Sequence, residues 1–179
     1  RMPLLLSGND HWDIIGVNIY SSSGPVAYIF QSDNVRVYRS TAWDAAAGNN
    51  IVWQWDQSDN GLCEDCAGWG GGREIFNFFT QTGGTCRRCW GQWNKQDTPA
   101  SGGGAVAELS YSSTDTTFEN LIASGNRTTG SAPSGAAGLV GATGAPVGGN
   151  DDFALLGSIG YVRCSYTVDE PAIYATSGG

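Results

Sequence analysis

Cys63 and Cys66 stand two residues apart, and Cys86 and Cys89 repeat that spacing after an interval of nineteen residues. Paired C-x-x-C knuckles at this separation suit one tetrahedral zinc held by four thiolates at about 2.3 Å. A two-residue spacer lets both sulfurs of a knuckle turn toward one ion. The longer insert can then fold as a hairpin and return the second knuckle to the same point. Two other chemistries use the same residues. The four thiols could close as two disulfides in a secreted domain, a setting that the sequon Asn126-Arg127-Thr128 also fits. Alternatively they could act as reactive dithiols, with Arg87 and Arg88 between Cys86 and Cys89 favouring the thiolate. Cys164, in "YVRCSYTV", reads as a buried core thiol.

The flanking residues narrow the choice. Residues 63–70 read C-E-D-C-A-G-W-G, the pattern C-x-x-C-x-G-x-G without a mismatch, and residues 86–93 read C-R-R-C-W-G-Q-W, with Trp93 in place of the last glycine. This repeat resembles the cysteine-rich zinc domain of DnaJ-type chaperones and of small plant organellar proteins that carry it. The insert "EIFNFFTQTGGTC" (74–86) resembles the hairpin between successive repeats of that family. The resemblance covers about 30 of the 179 residues. It implies that Cys63, Cys66, Cys86 and Cys89 ligate a single zinc. It further implies that Gly68, Gly70 and Gly91 are the positions that let the knuckles turn tightly, and that the setting is organellar, with the plastid first. The family has four repeats and a His-Pro-Asp J-domain, whereas this chain has two repeats and no such motif.

Other candidates carry less. His11 is the sole histidine and reads as a turn or surface residue. No nucleophile elbow, zincin helix or P-loop is present, and "GWGGG" (68–72) lacks the Lys and helix of a phosphate cradle. Asp56, Asp59, Glu64 and Asp65 form an acidic cluster beside the first knuckle, read as a solvated loop. Trp53, Trp55, Trp69, Trp90 and Trp93 crowd the cysteine region. They read first as the core of a segment poor in aliphatic residues, and second as an exposed aromatic surface for a protein, pigment or sugar.

The composition limits the partners. Net charge is −8, charged residues make up 15%, and no cluster of Lys and Arg exists to displace counterions from phosphates, which argues against nucleic acid. No apolar run approaches twenty residues, so no membrane span is expected. "MPLLL" is short for a signal-peptide core, and the start at Arg1 leaves a removed leader or an upstream arm open. The 27 glycines are about twice the usual share.

The elements that must position the cysteines read as short strands. Candidates are 12–20, 25–30, 34–40 and 49–61, with Ile51, Trp53 and Trp55 on one face of the last and Asn60-Gly61 as its turn. Residues 40–50 could form one or two helical turns. Strands are also expected at 105–111 and 158–171, while 116–124 is ambiguous and 124–150 reads as a long Gly/Ala/Ser loop.

The resulting expectation is a mainly β protein, in which a β-rich body of short strands carries an inserted zinc-binding β-hairpin and long Gly/Ala-rich loops. Its parts are a β-rich segment at 1–60, the DnaJ-like hairpin at 61–96 and a second β-rich segment at 97–179, together one compact unit. The expected role is a non-enzymatic structural subunit or assembly factor of a larger protein complex, stabilised by one zinc. Two alternatives are a jelly-roll viral coat protein, which would place it in a virion, and a thiol–disulfide oxidoreductase or chaperone using the C-x-x-C pairs.

Overall fold

The computed structural model describes residues 2–46, 48, 50–93, 105–110, 112–126, 140–143, 154–163 and 173–175. Every named element is a short strand, and together they wind as coils. The first coil holds β1 (Leu4–Ser7), β2 (Asp13–Ile15) and β3 (Asn18–Tyr20). The second holds β4 (Ala27–Phe30), β5 (Arg36–Tyr38) and β6 (Thr41–Trp43). The third holds β7 (Trp53–Asp56), β8 (Leu62–Glu64) and β9 (Ala67–Trp69), and the fourth β10 (Glu74–Phe79), β11 (Thr85–Arg87) and β12 (Trp90–Trp93). The fifth holds β13 (Ala105–Ser110), β14 (Thr117–Glu119) and β15 (Ile122–Asn126). The sixth holds β16 (Val140–Thr143), β17 (Ala154–Leu156) and β18 (Ile159–Arg163), and β19 (Ile173–Ala175) opens a seventh.

Strands pair with their counterparts one coil away, giving three sheets: β1-β4-β7-β10-β13-β16-β19, β2-β5-β8-β11-β14-β17 and β3-β6-β9-β12-β15-β18. We number them sheets 1, 2 and 3. All the strand pairings are parallel. The chain is therefore a three-sided β-solenoid, in which each coil completes its core only by stacking on its neighbours.

The mainly β expectation holds, and several finer expectations are corrected. Residues 74–86 do not form a hairpin, because β10 pairs in parallel with β7 and β13 rather than folding back on a neighbour. Segments 1–60, 61–96 and 97–179 all add strands to the same three sheets, so the cysteine region is two consecutive coils and not an insertion. A jelly roll needs antiparallel strands, and none occurs among the described residues. No helix forms among the described residues of 40–50, where β6 takes Thr41–Trp43 and alternates its side chains in and out of the solenoid. The ambiguous stretch 116–124 supplies β14 and most of β15. The loop expected at 124–150 is interrupted by the end of β15 and by β16, and its remaining residues lie outside the described ones.

The corners explain why such short strands suffice. Between sheets 2 and 3 a single left-handed residue turns the chain: Gly16, Arg39, Asp65, Arg88, Asn120 and Gly157 have φ between 46° and 68°. One further residue points inward before the next strand begins. Coil length is 23 residues from β7 to β10, so a motif in one coil returns at the same place in the next. Asn60 turns the chain as expected, with φ 56°, but as a corner residue and not in a hairpin.

Candidate metal centre and the surfaces around it

The C-x-x-C motif is one such corner. Cys63 lies in β8 and Cys86 in β11, directly paired, in an inward column of sheet 2 that reads Ile14, Val37, Cys63, Cys86, Phe118. Asp65 and Arg88 make the left-handed turn, and Cys66 and Cys89 take the inward corner position that follows. Backbone hydrogen bonds run coil to coil through this column: Thr41 to Val17, Ala67 to Ser40, Trp90 to Cys66 and Ile122 to Cys89. Cys66 and Cys89 thus stand where other coils carry Val17, Ser40 and Leu121. All four cysteines are free thiols, at most 3% exposed.

The sulfurs of Cys63, Cys66 and Cys89 lie within 4.8 Å of one another and could hold a metal ion. Cys86 stands beside them, in hydrogen-bond contact with the thiols of Cys63 and Cys89. Burial pushes the Cys63 thiol well up. Burial also acts to raise Cys86, but the hydrogen bonds from Cys63 and Cys89 outweigh it and draw Cys86 down to about 6. Cys66 is eased downward by its contact with Cys63, yet its bond to Cys89 and its burial carry it up to about 12. Hydrogen bonds among the four thiols replace part of the water lost on burial.

Two sulfurs also have backbone partners. Cys66 Sγ donates to Glu64 O at 3.2 Å and Val37 O at 3.6 Å, and Cys89 Sγ to Arg87 O at 3.3 Å and Cys63 O at 3.5 Å. Ser40 Oγ makes the same bond to Tyr38 O at 2.8 Å one coil earlier. A corner thiol therefore has a structural use that needs no metal, which is to give a second hydrogen bond to a bend carbonyl that already accepts a backbone N–H from the neighbouring coil.

The glycines of the motif serve a different end from the tight turning the family resemblance implies. Gly68 and Gly91 lie inside β9 and β12, on the inward side of sheet 3. A Cβ on Gly68 would sit 2.5 Å from Ile75 Cγ2, and one on Gly91 2.2 Å from Val106 Cγ1. They are small because side chains from sheet 1 occupy the space. Trp53 crosses the interior far enough for its indole Nε1–H to donate to Ala67 O at 3.1 Å. Of the three glycines only Gly70 takes a left-handed turn, at φ 69°.

Arg87 and Arg88 face away from the thiols. They lie on the outer side of sheet 2 and its corner, Arg87 pairing with Glu64 at 2.5 Å and Arg88 with Asp65 at 2.8 Å and with Glu64. Their charges are met by carboxylates, so they offer the sulfurs little. The acidic cluster read from the sequence is in fact divided among three places. Glu64 and Asp65 belong to this ladder. Asp59 caps a corner, accepting the Thr82 N–H at 2.8 Å. Asp56 stands on the outer side of sheet 1, only 8% exposed, and accepts a hydrogen bond from Tyr28 Oη at 2.5 Å. Burial raises the Asp56 carboxyl above its usual range.

The tryptophans divide as well. Trp53 and Trp55 are fully buried, with Trp55 stacked on Phe78 at 5.2 Å. Trp43, Trp69 and Trp90 instead line the outside of sheet 3 together with Tyr20. The sequence reading did not join Tyr20 and Trp43 to this group, although their spacing follows the coil length. His11 is an exposed corner residue with φ 61°. Cys164, the side chain of Trp93 and that of Asn126 lie outside the described residues. No helix among the described residues is long and apolar enough to cross a membrane. No family model, curated protein or solved structure matches the chain.

Proposed function

We propose that the chain is a non-enzymatic structural element, a subunit or assembly factor of a larger protein complex, whose third and fourth coils are clamped by one zinc on Cys63, Cys66, Cys86 and Cys89. The observation that carries this reading is the convergence of three buried sulfurs within 4.8 Å, with the fourth in contact. Thiolates at about 2.3 Å from one tetrahedral ion stand about 3.8 Å apart, a modest contraction of the observed cluster. The donor set is all sulfur, which suits zinc and other thiophilic ions over calcium or magnesium. Enclosure leaves no open position for substrate, in keeping with a structural site and against catalysis by these thiols. It also keeps them from a partner's disulfide, which counts against the oxidoreductase alternative.

Metal content measured on protein purified without chelator, together with a thiol count, tests the reading. One zinc per chain, with four thiols protected until a chelator is added, supports it. A metal-free, folded protein whose thiols react only on unfolding would leave the corner hydrogen bonds as the whole role of Cys66 and Cys89 and would sink the zinc assignment.

A further inference from the structure

The outer side of sheet 3 carries a continuous aromatic stripe. Tyr20, Trp43 and Trp69 stand in one column on consecutive coils, with ring centroids 5.9 and 5.4 Å apart, and Trp90 continues it diagonally at 6.1 Å. Ile122, half exposed, extends the apolar surface one coil further. Trp43 and Trp69 lie almost parallel, at 14°, and use their faces on each other. The terminal rings break from that stack: Tyr20 tilts by 45° and Trp90 by 55°, and they are 52% and 37% exposed. The indole N–H groups of Trp53 and Trp55 donate to carbonyls, whereas those of Trp43 and Trp69 find no acceptor among the described residues.

The charge pattern selects among occupants. Between the rings stand Asn18, Thr41, Ala67, Gln92 and Ser124, so in β3, β6, β9, β12 and β15 the described outward positions around the stripe carry no charged side chain. Along the stripe, the charges among the described residues lie at its corners, Arg39, Asp65 and Arg88 on one side, with Asp65 and Arg88 paired, and Asp44 on the other. The chain as a whole is at −8. A polyanion would meet that net repulsion, and a basic partner would find no carboxylate on the stripe to pair with. An uncharged ligand with apolar faces and hydroxyl edges suits rings that alternate with amide and hydroxyl groups.

We propose that this face binds an unbranched, neutral, β-linked glycan laid along the solenoid axis. Such a chain is a flat ribbon whose sugars advance by nearly one coil spacing, about 4.8 Å, so each coil from the first to the fourth meets one sugar. Tyr20 and Trp90 stack on pyranose faces at the two ends. The indole N–H groups of Trp43 and Trp69, with Thr41 and Gln92, address the hydroxyls between them.

The test is isothermal titration of the full chain, together with tryptophan fluorescence, using a β-1,4-linked glucose hexamer as the neutral probe and an oligogalacturonate of the same length as the anionic one. The variants are Tyr20→Ala and Trp90→Ala, both at exposed positions, with Trp12→Ala, 51% exposed outside the stripe, as the control. Circular dichroism checks that each variant keeps the wild-type fold. The expected result is binding of the neutral hexamer only, weakened about tenfold or more by Tyr20→Ala and by Trp90→Ala, and unchanged in Trp12→Ala. The proposal is overturned by any of four results: no binding of the neutral hexamer at millimolar concentration, equal binding of the anionic oligomer, equal loss in Trp12→Ala, or self-association of the chain that Tyr20→Ala abolishes.

Discussion

Sheets 2 and 3 meet at the corner that holds Cys66 and Cys89, yet their two sides are composed in opposite ways. Sheet 2 is bulky inside, with Ile14, Val37, Cys63, Cys86 and Phe118, and charged outside over its middle coils, where Glu64 and Arg87 pair coil to coil between the exposed Ile15 and Leu156 at the two ends. Sheet 3 is sparse inside, with Ile19, Ala42, Gly68, Gly91 and Ala123, and aromatic outside. The cause lies across the interior. Sheet 1 projects Trp53, Phe76 and the neighbouring Ile75 and Val106 toward sheet 3, so the inward positions there are filled from the opposite wall. Large residues on sheet 3 can then go only outward, where coil-to-coil stacking orders them into a stripe. Interior shape thus decides which wall can present a surface.

The comparison breaks most sharply if the crossing side chain is removed. Trp53→Ala should cost about 3–5 kcal/mol in denaturant unfolding, since it deletes a fully buried indole and its hydrogen bond to Ala67. Filling the opposite wall should cost less. Gly68→Ala places a methyl 2.5 Å from Ile75 Cγ2 and should destabilise by about 1–3 kcal/mol. Combining it with Ile75→Ala should recover part of that loss, because one change vacates what the other fills. Additive costs in that double-mutant cycle would break the account of why sheet 3 is thin inside.

How far the sequence exposed all this depends on which distance along the chain one reads. Short-range alternation gave part of the strand set, with Trp53 and Trp55 facing the core together, but it ran 12–20 across the corner at Gly16 and missed β1 and β6. The pairing partners are a coil away, and the decisive signal was the recurrence of position: Cys63 and Cys86, Cys66 and Cys89, and Tyr20 and Trp43 are each separated by the same 23 residues. A constant period across unlike residues marks a solenoid. Read through the cysteines alone, it resembles a zinc knuckle pair. The period was blurred because the second coil is longer, with Ala27 pairing with Trp53, and because left-handed corners carry Arg39, Asp65 and Arg88 where glycine would have announced a turn. The roles of Gly68 and Gly91 could not be read locally, since their neighbours in space come from another wall.

The cysteines sharpen the comparison at the corner itself. Cys66→Ser should be tolerated within about 1 kcal/mol of the wild type, because Ser40 already makes the same bond to the carbonyl two residues back. Cys63→Ser puts a hydroxyl into a column of Val37 and Phe118 and should cost about 1–3 kcal/mol. Thermal melts of the metal-stripped protein measure both. If a zinc clamp dominates, the asymmetry vanishes in the loaded protein, where either change removes a ligand.

The smallest effect belongs to the outer ladder of sheet 2, and it is recognised by its pH dependence. Burial acts to raise the Glu64 carboxyl, but the hydrogen bonds and charges of Arg87 and Arg88 prevail and hold it below its usual value. A carboxyl lowered in the folded state contributes stability that is complete above the unfolded value, about 4.3, and is lost as pH falls through the lower folded one. Asp56 on sheet 1 has the reverse sign. Burial raises its carboxyl against the hydrogen bonds from Tyr28 and Gln57, so its contribution is complete below the unfolded value and fades as pH rises through the raised one. Glu64→Gln should therefore lower stability at pH 7 by less than about 1 kcal/mol, as partly exposed pairs do, and should flatten the loss below pH of about 4. Asp56→Asn should be neutral or slightly stabilising at pH 7, because the amide oxygen still accepts from Tyr28 while the buried charge is gone. Unfolding free energies from pH 3 to 7 compare the two. A Glu64→Gln variant as stable as the wild type across that range would mean that the outer side of sheet 2 is not held by its ion pairs, and that its contrast with the aromatic side of sheet 3 is one of composition without energetic consequence.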